Sequence, residues 1–492
     1  MDKGGAGLKA TLVLRLGLFV SALLSLAACG DFQQEASPPN IVIILADDLG
    51  IGDLGCYNPG SKVPTPHMDR LAREGIRFTD AHSPSAVCTP TRYGLLTGRY
   101  CWRTRLKQWV LNSHSPALIE EGRTTLASFL RKRGYRTYGV GKWHLGLGDS
   151  GQTDYTLPLR PGPLQAGFDH WFGIPASLDM EPYVFFRDDQ VEALPTETIE
   201  RGQNARDGGG GFWRGGPIAP GFRHVDVLPR LVEEAVSILM DQDEGSPFFL
   251  YFPFSAPHKP WVPTEEFRGT SGAGPYGDFA VQVDQAVGEV LEALDRKGLA
   301  DDTLVVVASD NGAQWVAADI DKFDHRANLE LRGQKADIWE AGHRVPFLAR
   351  WPGRVPAAST TDALVGLQDW LATIADLHDS SLPVGQGEDS VSFLPQLLGE
   401  QEGKGRSSLV HHSGGGVFAL RFGDWKLIEG LGSGGFSAPR SPKPSPEGPL
   451  GQLYYLADDP GEDVNLWLDR PEKVAEMQAL LASIRAVGQA GS

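Results

Sequence analysis

Short runs of consecutive apolar residues, each broken abruptly by polar residues of one chemical kind, recur along this chain. Asn40-Ile41-Val42-Ile43-Ile44-Leu45-Ala46 runs into Asp47-Asp48, and residues 303–308 run toward Asp310-Asn311-Gly312. Residues 135–140 lead into Gly141-Lys142-Trp143-His144, and residues 247–254 into Ala256-Pro257-His258-Lys259. Unbroken apolar runs of this length predict strands buried on both faces. Helical patterns at 124–133, 228–240 and 279–297 separate them. That alternation predicts an α/β fold, a mainly parallel sheet with helices on both faces. Ligands of such sheets bind at the carboxyl ends of the strands, so the four polar clusters are expected to converge on one site. Taken singly, each cluster has a structural explanation: Asp47-Asp48 as a helix cap or turn, Lys142 and His144 as loop residues, His258 as a packing partner of Trp261. Four clusters at equivalent strand ends make that explanation of all four much weaker.

After Gly385 the pattern changes. Residues 417–421, 425–428 and 453–456 predict short antiparallel strands, and 471–487 a closing amphipathic helix, together a small α+β subdomain. The predicted organisation is therefore a leader over 1–28, a tether over 29–39, a catalytic domain over 40–385 and a C-terminal subdomain over 386–492. The Gly-, Ser- and Pro-rich stretch 430–451 predicts a mobile inserted loop, and 202–222 and 268–277 are glycine-rich loops expected to rim a pocket. Trp102, Trp109, Trp213 and Trp261 are candidate sugar-stacking platforms, although tryptophans are more often core. His325 and Arg326 are weaker candidates for substrate contact.

The chain has 492 residues and a formal charge of −17. Residues 16–28 are apolar, follow Lys3, Lys9 and Arg15, and are too short to span a bilayer, which marks a signal peptide. It ends Leu26-Ala27-Ala28-Cys29-Gly30, which resembles the lipobox where bacteria cleave the leader and acylate the new N-terminal cysteine. The expectation is an exported periplasmic or cell-surface lipoprotein anchored to the membrane through Cys29. The alternative is an ordinary cleavage site beside a cysteine. Loss of residues 1–28 leaves the mature chain two charges more negative. That argues against nucleic-acid binding, and an anionic substrate must be met by a local cluster of cations. Cys56 and Cys101 are either a disulfide or two thiols, a choice that sequence leaves open.

Cys88-Thr89-Pro90-Thr91-Arg92 reads as a cysteine at a helix start with proline in the first turn and an arginine one turn on, a pocket suited to a small oxyanion. A buried structural thiol beside a surface arginine would read the same locally. The stretch Cys88 to Arg99 resembles the signature of the type I sulfatases, whose Cys-x-Pro-x-Arg core directs oxidation of the cysteine to formylglycine. The resemblance continues through 40–50, 64–71, 141–146, Leu331-Arg332-Gly333-Gln334-Lys335, 340–346, 425–428 and 453–456, almost the whole mature chain. His67 and Ala341 depart from it, where asparagine and a second glycine are usual.

The resemblance implies an alkaline-phosphatase-like fold and a sulfuric ester hydrolase of arylsulfatase type. Asp47, Asp48, Asp310 and Asn311 form an all-oxygen ligand set suited to calcium or magnesium, and the resemblance favours one calcium ion. With Cys88 as formylglycine, it implies a hydrated aldehyde at the metal, attack on sulfur assisted by Asp310, and a covalent sulfo-enzyme intermediate. It makes His258 the acid for the departing oxygen, Lys335 the sulfate holder and His144 the base that releases sulfate, with Arg92 and Lys142 orienting the nucleophile. Implied partners are a formylglycine-generating maturation enzyme and a sulfated carbohydrate or aryl sulfate. Two rival readings remain: a phosphoester or phosphonate monoester hydrolase of the same superfold, and a non-catalytic glycan-binding lipoprotein.

Overall fold

The computed structural model describes residues 38–149, 151–202, 212–243, 245–400 and 405–487. The expected signal segment, Cys29, most of the expected tether and residues 203–211 of the 202–222 loop lie outside the described residues. The described residues from Pro39 onward form one compact unit. None of its described helices is long and apolar enough to cross a membrane.

The strand Asn40–Ala46 is buried along its whole length. Its side chains alternate between two cores: Ile41, Ile43 and Leu45 enter one, and Val42, Ile44 and Ala46 enter the other. Thr303–Ser309 divides likewise, Leu304, Val306 and Ala308 against Val305 and Val307. The period of two thus delivers an unbroken apolar run to both faces of one sheet. Truncating a side chain such as Ile43 to alanine there costs about 2–5 kcal/mol. Val227–Met240, Gly274–Lys297 and Pro66–Glu74 cover one face. Cys88–Thr97, Leu126–Arg131 and Trp370–Leu377 cover the other.

The main sheet has ten strands. Its centre is five parallel strands in the order Thr303–Ser309, Asn40–Ala46, Phe248–Pro253, Arg136–Lys142, His170–Ile174. Beyond Thr303–Ser309 come Phe347–Arg350, antiparallel to it, Ile76–Phe78, antiparallel in turn to Phe347–Arg350, and Ser359–Thr361, parallel to Ile76–Phe78, and the hairpin Phe186–Arg187 and Gln190–Val191 closes the other edge. The four strands expected from sequence are adjacent and point the same way, which carries their polar clusters to one edge.

The small sheet contains four antiparallel strands, Ser408–His412, Phe418–Phe422, Trp425–Ile428 and Gln452–Tyr455. Three were expected. Ser408–His412, with two histidines inside, gave no apolar alternation to find it by. One face of this sheet packs on the helix Pro471–Ala486 and on Tyr100 and Trp102, so Trp102 is core rather than a platform. The other face packs on Ile338 and Trp339. Here too the stretch 430–451 differs from expectation. Its first half is pinned by Asp337, whose Oδ1 accepts from the backbone N–H of Phe436 at 2.8 Å and of Ser437 at 3.0 Å, while Ile338 N–H donates to Ser433 O at 2.8 Å.

At the seam between the small sheet and the rest lie three buried histidines. His343 and His411 stack with ring centroids 3.8 Å apart, and His82 Nδ1 lies 3.0 Å from His343 Nδ1. Burial first, then neighbouring histidine and Lys426 charge, holds His343 and His411 well below the usual range. Cys56 and Cys101 are free thiols, Cys56 partly exposed and Cys101 buried.

Candidate active site

The strand Asn40–Ala46 ends at Asp47 and Asp48, Thr303–Ser309 at Asp310 and Asn311, and Arg136–Lys142 at Lys142 itself. His258 follows Phe248–Pro253 by one turn. The helix Cys88–Thr97 starts with Cys88 and stops at Gly98, which takes the left-handed conformation (φ 63°) and returns its N–H to Gly94 O at 2.8 Å. Every residue of this helix is buried, so Arg92 is held inside rather than on the surface. Asp47, Asp48, Cys88, Arg92, Lys142, His144, His258, Asp310, Asn311 and Lys335 come together here.

Three carboxylates face three cations. Lys142 Nζ lies 2.6 Å from Asp47 Oδ2, Lys335 Nζ 2.6 Å from Asp48 Oδ1, and Arg92 grips Asp310 Oδ2 through Nε at 3.0 Å and Nη2 at 2.8 Å. Cys88 Sγ sits between the two signs, 3.5 Å from Asp47 Oδ1 and 3.7 Å from Lys335 Nζ. Its thiol is only 2% exposed. Burial raises its pKa far above normal, against the pull of Lys142 and Lys335, so it is a poor nucleophile as it stands. Burial also works against Asp47, but Lys142, His258, Arg92 and Lys335 hold that carboxyl well below the usual range. Asp310 is pushed up to about 6 by burial and then by the charge of Asp47.

An oxygen of each of Asp47 and Asp48, the Cys88 sulfur and a His258 nitrogen lie within 4.8 Å of one another, close enough to share one cation. Asn311 Oδ1 is buried without a hydrogen-bond partner, an acceptor left for a cation, while its Nδ2 donates to Asp48 Oδ1 at 2.7 Å. Asp310 Oδ1 accepts the Asp48 N–H at 3.3 Å. Oxygen donors of this kind and number fit a hard divalent cation.

The two histidines are held differently. His144 donates Nε2–H to Leu111 O at 2.8 Å, which fixes the tautomer and leaves Nδ1 buried and unpartnered. Burial, then Lys142 and Arg92, keep it neutral, the state a base requires. His258 Nδ1–H donates to Lys259 O, and Nε2 stands 3.8 Å from Asp48 Oδ2. Burial and Lys335 lower its pKa, and Asp48 and Asp47 oppose them. His144 (φ 56°) and Asp48 (φ 66°) both take the left-handed backbone conformation, strain of about 1–2 kcal/mol each.

Sequence reading missed Ser177. Its Oγ lies 3.3 Å from Lys142 Nζ and 3.3 Å from the His258 ring, bridging two catalytic candidates. A lone serine in a loop after the strand His170–Ile174 carries no signal to single it out. His325, by contrast, is a structural residue: it is buried with Nε2 2.7 Å from Asp53 Oδ1, and Arg326 is exposed and paired with Glu330.

A buried cysteine at a helix start, flanked by metal-type carboxylates and fixed cations at the carboxyl edge of a parallel sheet, defines a hydrolase of small-oxyanion esters. The sulfatase family model matches residues 39–380. An N-acetylgalactosamine-6-O-sulfatase of Bacteroides thetaiotaomicron is 35% identical over 501 residues, covering 92% of this chain and 94% of that protein. Human arylsulfatase A is 35% identical over 471 residues, covering 91% of this chain and 86% of its own length. A solved structure from work on the metabolism of multiple glycosaminoglycans by Bacteroides thetaiotaomicron matches at a TM-score of 0.81 and 32% identity, over 92% of this chain and all of that one. The chain belongs to the sulfatase family and is a sulfuric ester hydrolase with the alkaline-phosphatase-like fold.

Proposed function

We propose that the protein removes sulfate from carbohydrates with one bound calcium ion and a formylglycine made from Cys88. The observation that carries this reading is the place of Cys88 Sγ, touching a metal-type carboxylate on one side and Lys335 on the other. Charge balance supports it. Asp47, Asp48 and Asp310 match Arg92, Lys142 and Lys335, so a divalent cation leaves two positive charges, which a sulfate monoester and an ionised attacking oxygen together neutralise.

Calcium held by Asp47, Asp48, Asp310 and Asn311 would supply Lewis acidity toward a sulfate oxygen. Formylglycine would supply, as its hydrate, the oxygen nucleophile that the thiol cannot. Asp310, gripped by Arg92 beside that position, would help to take the proton of the attacking hydroxyl. Lys142 and Arg92 fix the carboxylates around the nucleophile. Lys335 faces the sulfate, and His258 stands beside it to hand a proton to the leaving oxygen. His144 Nδ1, neutral and unpartnered, would be the base that takes the proton of the second hydroxyl, so that the aldehyde re-forms as sulfate leaves. Carbohydrate is the substrate class favoured because the N-acetylgalactosamine-6-O-sulfatase is similar over nearly the full length. The chain also carries the leader and Cys29 of an exported, lipid-anchored protein.

The test is the mass of the Cys88 peptide from protein produced with a maturation enzyme, measured beside calcium-dependent turnover of an aryl sulfate. Loss of sulfur with gain of an aldehyde or its hydrate, together with activity, is the expected result. An unmodified thiol in a protein that still turns over would overturn the nucleophile. Acyl labelling that survives Cys29→Ser would overturn the anchor.

A further inference from the structure

We propose that Trp109 and Phe436 form a sugar-stacking subsite beside the sulfate pocket, taking the apolar face of the pyranose next to the sulfated one. This rests on the carbohydrate reading above and adds the place where the glycan chain lies.

Trp109 is 41% exposed, where Trp102 is buried and Trp213 is stacked on His224 with centroids 4.8 Å apart. Its rings stack on the half-buried Phe436 with centroids 5.8 Å apart and planes 25° from parallel, so Phe436 backs the exposed indole and fixes its orientation. Trp109 also takes a left-handed backbone conformation (φ 56°), strained for so large a residue. Something therefore holds an exposed indole in an unfavourable conformation. Two attachments do so. Trp109 N–H donates to Gly414 O at 2.6 Å, and Gly414 N–H donates to Ala336 O at 2.8 Å. Ala336 is the neighbour of Lys335, and its own N–H reaches Ala86 O, two residues before Cys88.

The close packing on Ala336 explains the two glycines. A Cβ at Gly414 would lie 2.8 Å from Trp109 Cζ3, and one at Gly435 would lie 2.2 Å from Ala336 O. Both aromatic residues thus stand on the backbone of the residue after Lys335. On its other flank, Leu111 N–H donates to Thr89 Oγ1 at 3.3 Å while Leu111 O holds His144. The platform is built from the same segments that place Cys88, His144 and Lys335, so it lies within a sugar's reach of the sulfate position. A pyranose presents axial C–H groups on one face and hydroxyls at its rim. An aromatic surface takes the first while the rim stays in water.

The experiment compares Trp109→Ala, Phe436→Ala and Trp109→Phe on two substrates, N-acetylgalactosamine 6-sulfate and oligosaccharides of chondroitin 6-sulfate. With either alanine, the ratio of kcat/KM for the oligosaccharide to that for the monosaccharide should fall about tenfold, carried by KM. Trp109→Phe should restore most of that ratio. An unchanged ratio, or equal loss on both substrates, would overturn the subsite. If the parent protein cleaves no sulfate ester, the proposed function falls by itself, and calorimetry on Cys88→Ala then judges the platform. Chondroitin 6-sulfate oligosaccharide should bind about tenfold more weakly once Trp109→Ala is added, and equal affinity would overturn it.

Discussion

At the scale of single residues, what decides function is which polar atoms are left without partners. Asn311 Oδ1 and His144 Nδ1 are both buried and unsatisfied, one an acceptor for a cation and the other a lone pair for a proton. On the proposed calcium site, Asn311→Ala should raise the calcium concentration for half-maximal activity about 10–100-fold, read from a calcium titration of aryl sulfate turnover. Ser177→Ala removes the hydroxyl between Lys142 and His258, and kcat should drop about tenfold with a smaller change in KM. The candidate residues that the structure brings together, from Asp47 to Lys335, were legible in the chain, for two reasons. Four of the clusters end strands, and Cys88 with Arg92 carries a family motif. Lys335 was legible through family resemblance alone, because a lysine after Arg-Gly has no distinguishing chemistry. Ser177 has neither advantage, since its role is set by where two other side chains meet.

At the scale of elements, the site depends on how closely neighbouring strands approach at their carboxyl ends. Gly141 has φ 139°, and a Cβ there would lie 1.9 Å from Pro253 O of the adjacent strand. Gly141→Ala should destabilise the fold by at least about 2 kcal/mol and displace Lys142 from Asp47, seen as a lower thermal midpoint together with lost turnover. The parallel core was readable because strands buried on both faces need unbroken apolar runs, as 40–46 and 303–308 are. Ser408–His412 was not, because only Leu409 and Val410 of its four buried residues are apolar, too short a run to read as a strand, and the other two are histidines. The loop 430–451 looked free by composition, but a single carboxylate, Asp337, binds its backbone. Hydrogen bonds to backbone N–H leave no trace in the sequence of the loop that donates them.

At the scale of the whole molecule, eight histidines, at 82, 144, 224, 258, 343, 378, 411 and 412, have their pKa lowered, each chiefly by burial. The unfolded chain takes up protons near pH 6.5, while the folded one resists until lower pH, about 4 for His224 and His412. Stability is therefore full above pH 6.5 and is lost as pH falls below it, at up to about 1.4 kcal/mol per pH unit for each fully buried histidine. Six carboxyls with raised pKa act in the opposite sense, Asp284 and Asp310 at about 6, Glu462 at about 7, and Glu289, Asp337 and Asp369, six groups against eight. The thermal midpoint should decline between pH 7 and pH 5, and a flat profile would contradict this balance. The burial of Cys88 has a further consequence in time rather than in space. On the proposed chemistry, a maturation enzyme can reach this side chain only while the chain is still open, so modification and folding race. Each molecule that folds first is a dead end with an intact shell, and the active fraction of any preparation records who won that race.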